Sequence, residues 1–141
     1  MSELVFVDSN ILIYAHDADA ARKRDRAVAK LRELWESGTG RMSVQVLQEF
    51  YVNVTRKIAT PVAQSTAREA VNSYGAWVRE PTTPTTVTRA IDIVALAQIG
   101  FWDALIVASA EQAGATTLYS EDLAAGQAIA GVTIVNPLAG T

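Results

Sequence analysis

The chain has no cysteine, a single histidine and four prolines among 141 residues. The missing cysteine excludes disulfides, thiolate nucleophiles and Cys-based zinc sites. One histidine, His16, leaves no local support for a Ser-His-Asp arrangement; it reads as a surface or helix-end residue. The glycines are not followed by the Lys-Ser/Thr of a phosphate-binding loop, so a P-loop is excluded. No apolar run is long enough to span a bilayer. Met-Ser-Glu lacks the basic and apolar stretches of a signal peptide. A soluble, cytoplasmic protein is the expectation.

Basic residues are absent from the last third. Residues 1–89 hold all 12 Lys and Arg with 10 of the 15 acids, whereas residues 90–141 hold five acids and no base. The net charge of −3 is thus a small positive excess followed by an acidic stretch comprising Asp92, Asp103, Glu111, Glu121 and Asp122. Read from composition, these are solvated surface charges. Brought together, they would need a cation to offset their repulsion.

What is present is an ordinary globular balance, 50% hydrophobic and 19% charged, in a length suited to one domain, residues 1–141. Leu4–Val7 is a continuous apolar run that ends at Asp8, Ser9 and Asn10 before Ile11-Leu12-Ile13 resumes. A buried strand followed by a helix places Asp8 at a strand's C-terminal end, the edge where open α/β sheets bind ligands. Helical spacing predicts helices over 20–36 and 44–58, the latter with Leu47, Phe50, Tyr51, Val54 and Ile58 as its apolar stripe. Further helices are expected from Thr60-Pro61 to about Tyr74, over 85–98, over 104–113 behind Asp103, and over 121–130. Strands are expected at 41–43, 77–78, 116–120 and 132–136. The alternation predicts an α/β fold, a central parallel β-sheet flanked by α-helices in three layers.

Asp8, Asp103 and Asp122 all fall at expected strand-to-helix turns. Singly, each reads as a helix N-cap. In a parallel sheet such turns share one edge, so the three carboxylates can converge on a hard divalent cation, magnesium or manganese. Periodicity makes Glu49 a solvated helix residue. The basic run from Arg22 to Lys30 reads as a solvated helix face or a phosphate-backbone contact, and Trp35, Trp77 and Trp102 as core or interface residues.

Four segments carry a family resemblance: Val7-Asp8-Ser9-Asn10-Ile11-Leu12, Ser43 to Phe50, Phe101-Trp102-Asp103-Ala104-Leu105-Ile106, and Leu118-Tyr119-Ser120-Glu121-Asp122-Leu123. In this order and across nearly the whole chain, they make it similar to the PIN-domain ribonucleases, in particular the small VapC-type toxins of toxin–antitoxin pairs. The resemblance implies a single PIN domain whose acidic site is Asp8, Glu49, Asp103 and Asp122, holding Mg2+ or Mn2+, with Asn10 and Ser120 supporting the carboxylates by hydrogen bonds. Glu121, beside the fourth position, is an extra acid whose share in that role is open. The implied activity is metal-dependent endoribonuclease cleavage that inhibits translation. The implied partners are an RNA substrate, a cognate small antitoxin protein whose C-terminal segment would lie in a groove and obstruct the site, and a second copy in a homodimer. Basic residues such as Arg22, Lys23, Arg24 and Arg26 would steer RNA.

Alternatives are a PIN nuclease of RNA processing without an antitoxin, and a non-catalytic PIN-like binding module, against which four intact acids argue. A haloacid-dehalogenase-type phosphatase would want a second Asp where Asn10 stands and a late Lys, but Lys57 is the last. The missing Lys also counts against a phospho-receiver domain.

Overall fold

The computed structural model describes residues 3–139. Strands β1 (Leu4–Val7), β2 (Gly40–Arg41), β3 (Ala115–Tyr119), β4 (Ala128–Ile129) and β5 (Val132–Val135) form one sheet in the order β2-β1-β3-β5-β4. Every pairing is parallel except the outer β4–β5 ladder. Six helices flank it: α1 (Ser9–Ala15), α2 (Arg22–Ser37), α3 (Val44–Arg56), α4 (Gln64–Tyr74), α5 (Pro84–Ala97) and α6 (Phe101–Gln112). This is the α/β architecture expected, a mostly parallel sheet flanked by helices. Helix α1 packs on α2 and α3, and α3 on α4, while α5 packs on α6, which in turn covers β3 and β5.

The expected elements form, with five differences. The segment after β3 is not helical. Ser120 Oγ accepts from the backbone N–H groups of Asp122 and Leu123, a side-chain turn that competes with helix initiation. Backbone bonds from Gly126 to Ile134 and from Ile134 to Gln127 then draw the chain into a hairpin. Its turn, Ala130-Gly131, has φ of 54° and 79°, the two positive values that a tight two-residue hairpin turn demands.

The predicted strand at 77–78 is instead a short 3-10 turn, Gly75–Trp77. It is tied to the segment after β2 by the bond from Met42 N–H to the Trp77 carbonyl, 3.1 Å. Trp77 is buried over Gly40, where an added Cβ would stand 2.7 Å from the indole ring. The fourth helix starts at Gln64 rather than at Thr60-Pro61. Val62 N–H is bonded back to the Val54 carbonyl at 2.8 Å and Ala63 is extended. In α3 the buried stripe is Val46, Phe50 and Val54, with Leu47 and Tyr51 only half-buried. The last helix begins at Phe101, two residues before Asp103.

Helix α6 has a seven-residue stretch, Ala104–Ala110, buried on all sides, as a helix apolar all round must be. Among the described residues no single helix is long and apolar enough to cross a membrane. The α5–α6 pair meets the length and hydropathy requirement together, but bends by 115°.

Candidate acidic site

The register of the central strands explains how the first part of the site forms. Phe6 pairs with Leu118 and Val7 with Tyr119. The ladder extends one bond further, Asp8 N–H to the Tyr119 carbonyl at 2.9 Å. Asp8 and Ser120 therefore leave the sheet side by side at its C-terminal edge. There Ser120 Oγ donates to Asp8 Oδ2 at 2.8 Å. Ser9 N–H donates to Asp8 Oδ1 at 2.7 Å, so Asp8 caps α1 as its sequence position suggests. Asn10 Nδ2 approaches the same Oδ2 at 3.4 Å and Ser120 Oγ at 3.5 Å.

These donors favour the ionised carboxylate, yet Asp8 titrates at about 6 rather than 3.8. Burial is the dominant cause, and the charges of Glu49 and Asp122 push the same way. Asp103 belongs to the same electrostatic neighbourhood: its pKa is raised by burial and by the charge of Asp122.

Glu49 is half-buried on α3. The rotation of the stripe onto Val46, Phe50 and Val54 turns it inward, and this is what periodicity missed. Its Oε1 accepts from Ser9 Oγ at 3.0 Å and its Oε2 from Gln45 Nε2 at 3.5 Å. Gln45 Nε2 also reaches the Trp102 carbonyl at 3.3 Å, tying α3 to the first turn of α6. Ser9 and Gln45 thus join the residues around the acids, and sequence reasoning assigned a role to neither. Asp103 is not a helix cap; Gly100 holds that position and Asp103 lies in the first turn, where a negative charge is favoured by the helix dipole. Asp122 is exposed in the irregular segment after β3, rather than at the start of a helix.

Of the five late acids, two acquire basic partners from earlier in the chain. Arg89 grips Glu111 with two bonds, Nε–Oε1 at 2.8 Å and a second to Oε2 at 3.0 Å. Lys23 Nζ pairs with Glu121 Oε2 at 2.8 Å. Among the described residues none of Asp8, Glu49, Asp103 and Asp122 has an ion pair. Nor do three or more His, Asp or Glu among the described residues form a group placed to hold a metal ion.

His16 ends α1, half-buried, with Nε2 3.0 Å from Tyr74 Oη and its ring against Phe50. Burial lowers its pKa. Trp77 is core, Trp35 lies partly exposed against it with ring centroids 4.4 Å apart, and Trp102 is 66% exposed, so it is not a core residue.

A family model for the PIN domain matches residues 5–128. The chain belongs to the PIN-domain family. Solved structures with this PIN fold include VapC20 of Mycobacterium tuberculosis, described as a sarcin-ricin-loop-cleaving toxin. It has 22% identity and a TM-score of 0.62 over 84% of this chain and 89% of that one. A toxin–antitoxin complex from Klebsiella pneumoniae matches at 17% identity and TM-score 0.66, covering 94% and 97% of the two chains. VapBC2 from Rickettsia felis, bound to a fragment of its promoter DNA, matches at 19% and 0.63, covering 93% and 96%. At these identities the likeness shows a shared PIN fold. No curated protein sequence matches the chain.

Proposed function

We propose that this PIN domain is a metal-dependent endoribonuclease, acting in the cytoplasm as the toxin of a toxin–antitoxin pair, with Asp8, Glu49, Asp103 and Asp122 as its catalytic acids. The carrying observation is the unpaired acidic neighbourhood at the C-terminal edge of the sheet. A buried Asp8 titrating near 6 is under repulsion from two further carboxylates, and among the described residues no basic side chain pairs with it. Such a set fits a hard divalent cation, Mg2+ or Mn2+. The absence of a closed three-carboxylate cage among the described residues is compatible with magnesium, which keeps several waters and is bound through one or two carboxylates plus substrate phosphate.

In this reading Asp8 and Asp103 hold the cation most directly and Glu49 and Asp122 complete the set. When bound, the cation supplies an activated water and charge stabilisation at the scissile phosphate. The chain's own residues do the positioning. Ser9 N–H, Ser120 and Asn10 keep the Asp8 carboxylate in one rotamer, and Ser9 Oγ holds Glu49 to the same helix end. RNA as substrate, a homodimer and inhibition of translation follow from the resemblance to VapC-type toxins and from the toxin identity of VapC20.

An antitoxin partner is supported by the two toxin–antitoxin complexes of the same fold. It is also supported by an apolar groove of about 510 Å³ lined by Val44, Leu47, Tyr51, Val52 and Val71, with Arg68 at its side. The test is cleavage of total RNA by purified protein with Mg2+ or Mn2+, beside a chelator and Asp8→Asn. The expected result is cleavage abolished by either. Undiminished metal-dependent cleavage by Asp8→Asn would sink the site assignment.

A further inference from the structure

The segment carrying Asp122 is irregular from Ser120 to Gln127, so something other than secondary structure must locate its carboxylate. Glu121, next to it, has partners of its own on α1 and α2. Its Oε1 accepts from Tyr14 Oη at 2.6 Å, and its Oε2 pairs with Lys23 Nζ at 2.8 Å. Lys23 Nζ also lies 4.9 Å from the centroid of the Tyr14 ring. The three side chains therefore form one closed contact joining α1, α2 and the β3–β4 segment. The Glu121 backbone N–H donates to Asn10 Oδ1 at 3.1 Å. That bond orients the Asn10 amide so that its Nδ2 faces Asp8 Oδ2 and Ser120 Oγ.

We propose that Glu121 is a positioning residue for the acidic site. Clamped by Tyr14 and Lys23, it fixes the placement of Asp122 and the orientation of Asn10, and it does not itself share the fourth acidic position. Two physical points carry this. A carboxylate with one oxygen held by an ammonium and the other by a phenol must give up a charge-assisted bond to turn toward a cation, which disfavours it as a ligand. Its charge is also neutralised locally by Lys23, so a fifth negative charge is not added beside Asp8 and Asp122. Groups that orient a metal's ligands in this way commonly govern affinity by about 10–100-fold.

The inference rests on the reading that Asp8 and Asp122 help hold a divalent cation, and its test separates the two. Mn2+ binding by the full-length protein, without RNA, is measured by electron paramagnetic resonance for the wild type, Asp8→Asn, Glu121→Gln, Tyr14→Phe, Lys23→Met and Lys23→Arg. Hydrogen exchange of residues 121–127 is followed in parallel. The expected outcome is a Kd for Mn2+ raised about tenfold in Glu121→Gln, Tyr14→Phe and Lys23→Met, faster exchange over 121–127, and near-wild-type affinity in Lys23→Arg, which keeps the ion pair. If these three variants melt earlier but bind Mn2+ within twofold of the wild type, while Asp8→Asn has lost binding, the clamp is merely structural and the proposal falls alone. If Asp8→Asn binds Mn2+ as the wild type does, the acidic-site reading falls and this inference with it.

Discussion

Ser120 Oγ donates a 2.8 Å hydrogen bond to Asp8 Oδ2 across 112 residues of sequence, and the same oxygen accepts from the N–H groups of Asp122 and Leu123. One hydroxyl thus holds a carboxylate of the first strand and starts the turn that carries another acid. Ser120→Ala is expected to cost about 1–3 kcal/mol, since it leaves buried partners unsatisfied. It should also raise the Asp8 pKa further, because the Ser120 bond is the largest influence lowering it. Urea unfolding and NMR titration of the Asp8 carboxyl check the two effects. An unchanged pKa would show that the bond is absent in solution.

The raised pKa of Asp8 sets a pH dependence of stability. Its folded value is about 6 against an ordinary 3.8, so between these values the folded chain holds a proton that the unfolded chain has released. Asp8 therefore contributes stability that is fully present below about 4 and is lost as pH rises to about 6. The loss is on the order of 3 kcal/mol, from a shift of about two units. Asp8→Asn should flatten this part of the profile and be more stable than the wild type at pH 7. Thermal melts from pH 3.5 to 7.5, without added metal, provide the measurement.

A divalent cation should reverse that loss. At 100 times its Kd, Mn2+ is expected to stabilise the wild type by about 2.7 kcal/mol at neutral pH through binding alone. The shift in Tm should shrink as pH falls through 6 and the Asp8 carboxylate takes up its proton. Addition of a chelator should return the wild type to its metal-free Tm and abolish RNA cleavage. Metal-induced shifts of equal size at pH 4.5 and pH 7.5 would argue against Asp8 as a ligand.

Gly40 has a packing role independent of the acids. An added Cβ would come within 2.7–2.8 Å of three atoms of the Trp77 ring, and Trp77 is itself buried against Trp35 and Tyr74. Gly40→Ala should therefore destabilise by about 1–3 kcal/mol through overpacking. Denaturant titration followed by tryptophan fluorescence would report both the lost stability and the disturbed indole.

Much of this was legible in the sequence because the signals were local. The apolar run Leu4–Val7 ending at Asp8 located both a strand and the end of it at which Asp8 stands, and the Val132–Val135 strand was equally plain. The family segments brought forward Glu49, Asn10 and Ser120. What was not legible depended on partners distant in sequence. Glu49 turns inward because tertiary packing selects Val46 over Leu47 for the buried stripe, a choice that periodicity leaves undecided between neighbours. The segment after Ser120 carries helix-forming alanines, but the Ser120 hydroxyl and pairing with β5 outcompete that propensity. Trp102 is exposed despite its size, because α6 begins earlier than the Asp103 cap predicts and its buried stretch begins at Ala104.

The strand order has a consequence for synthesis. β1 and β5 are not neighbours in the sheet; β3, made from residue 115 onward, lies between them. Asp8 is made 112 residues ahead of Ser120, its hydrogen-bond partner. Yet β3, one of the two strands that flank β1, the serine that fixes Asp8 and the segment bearing Asp122 follow only after more than a hundred others have been made. The acidic neighbourhood is thus assembled by a long-range pairing, a kind that forms slowly. If the proposed cleavage needs this neighbourhood, the topology keeps the nascent chain inert until the segment from β3 to Asp122 has been made and paired.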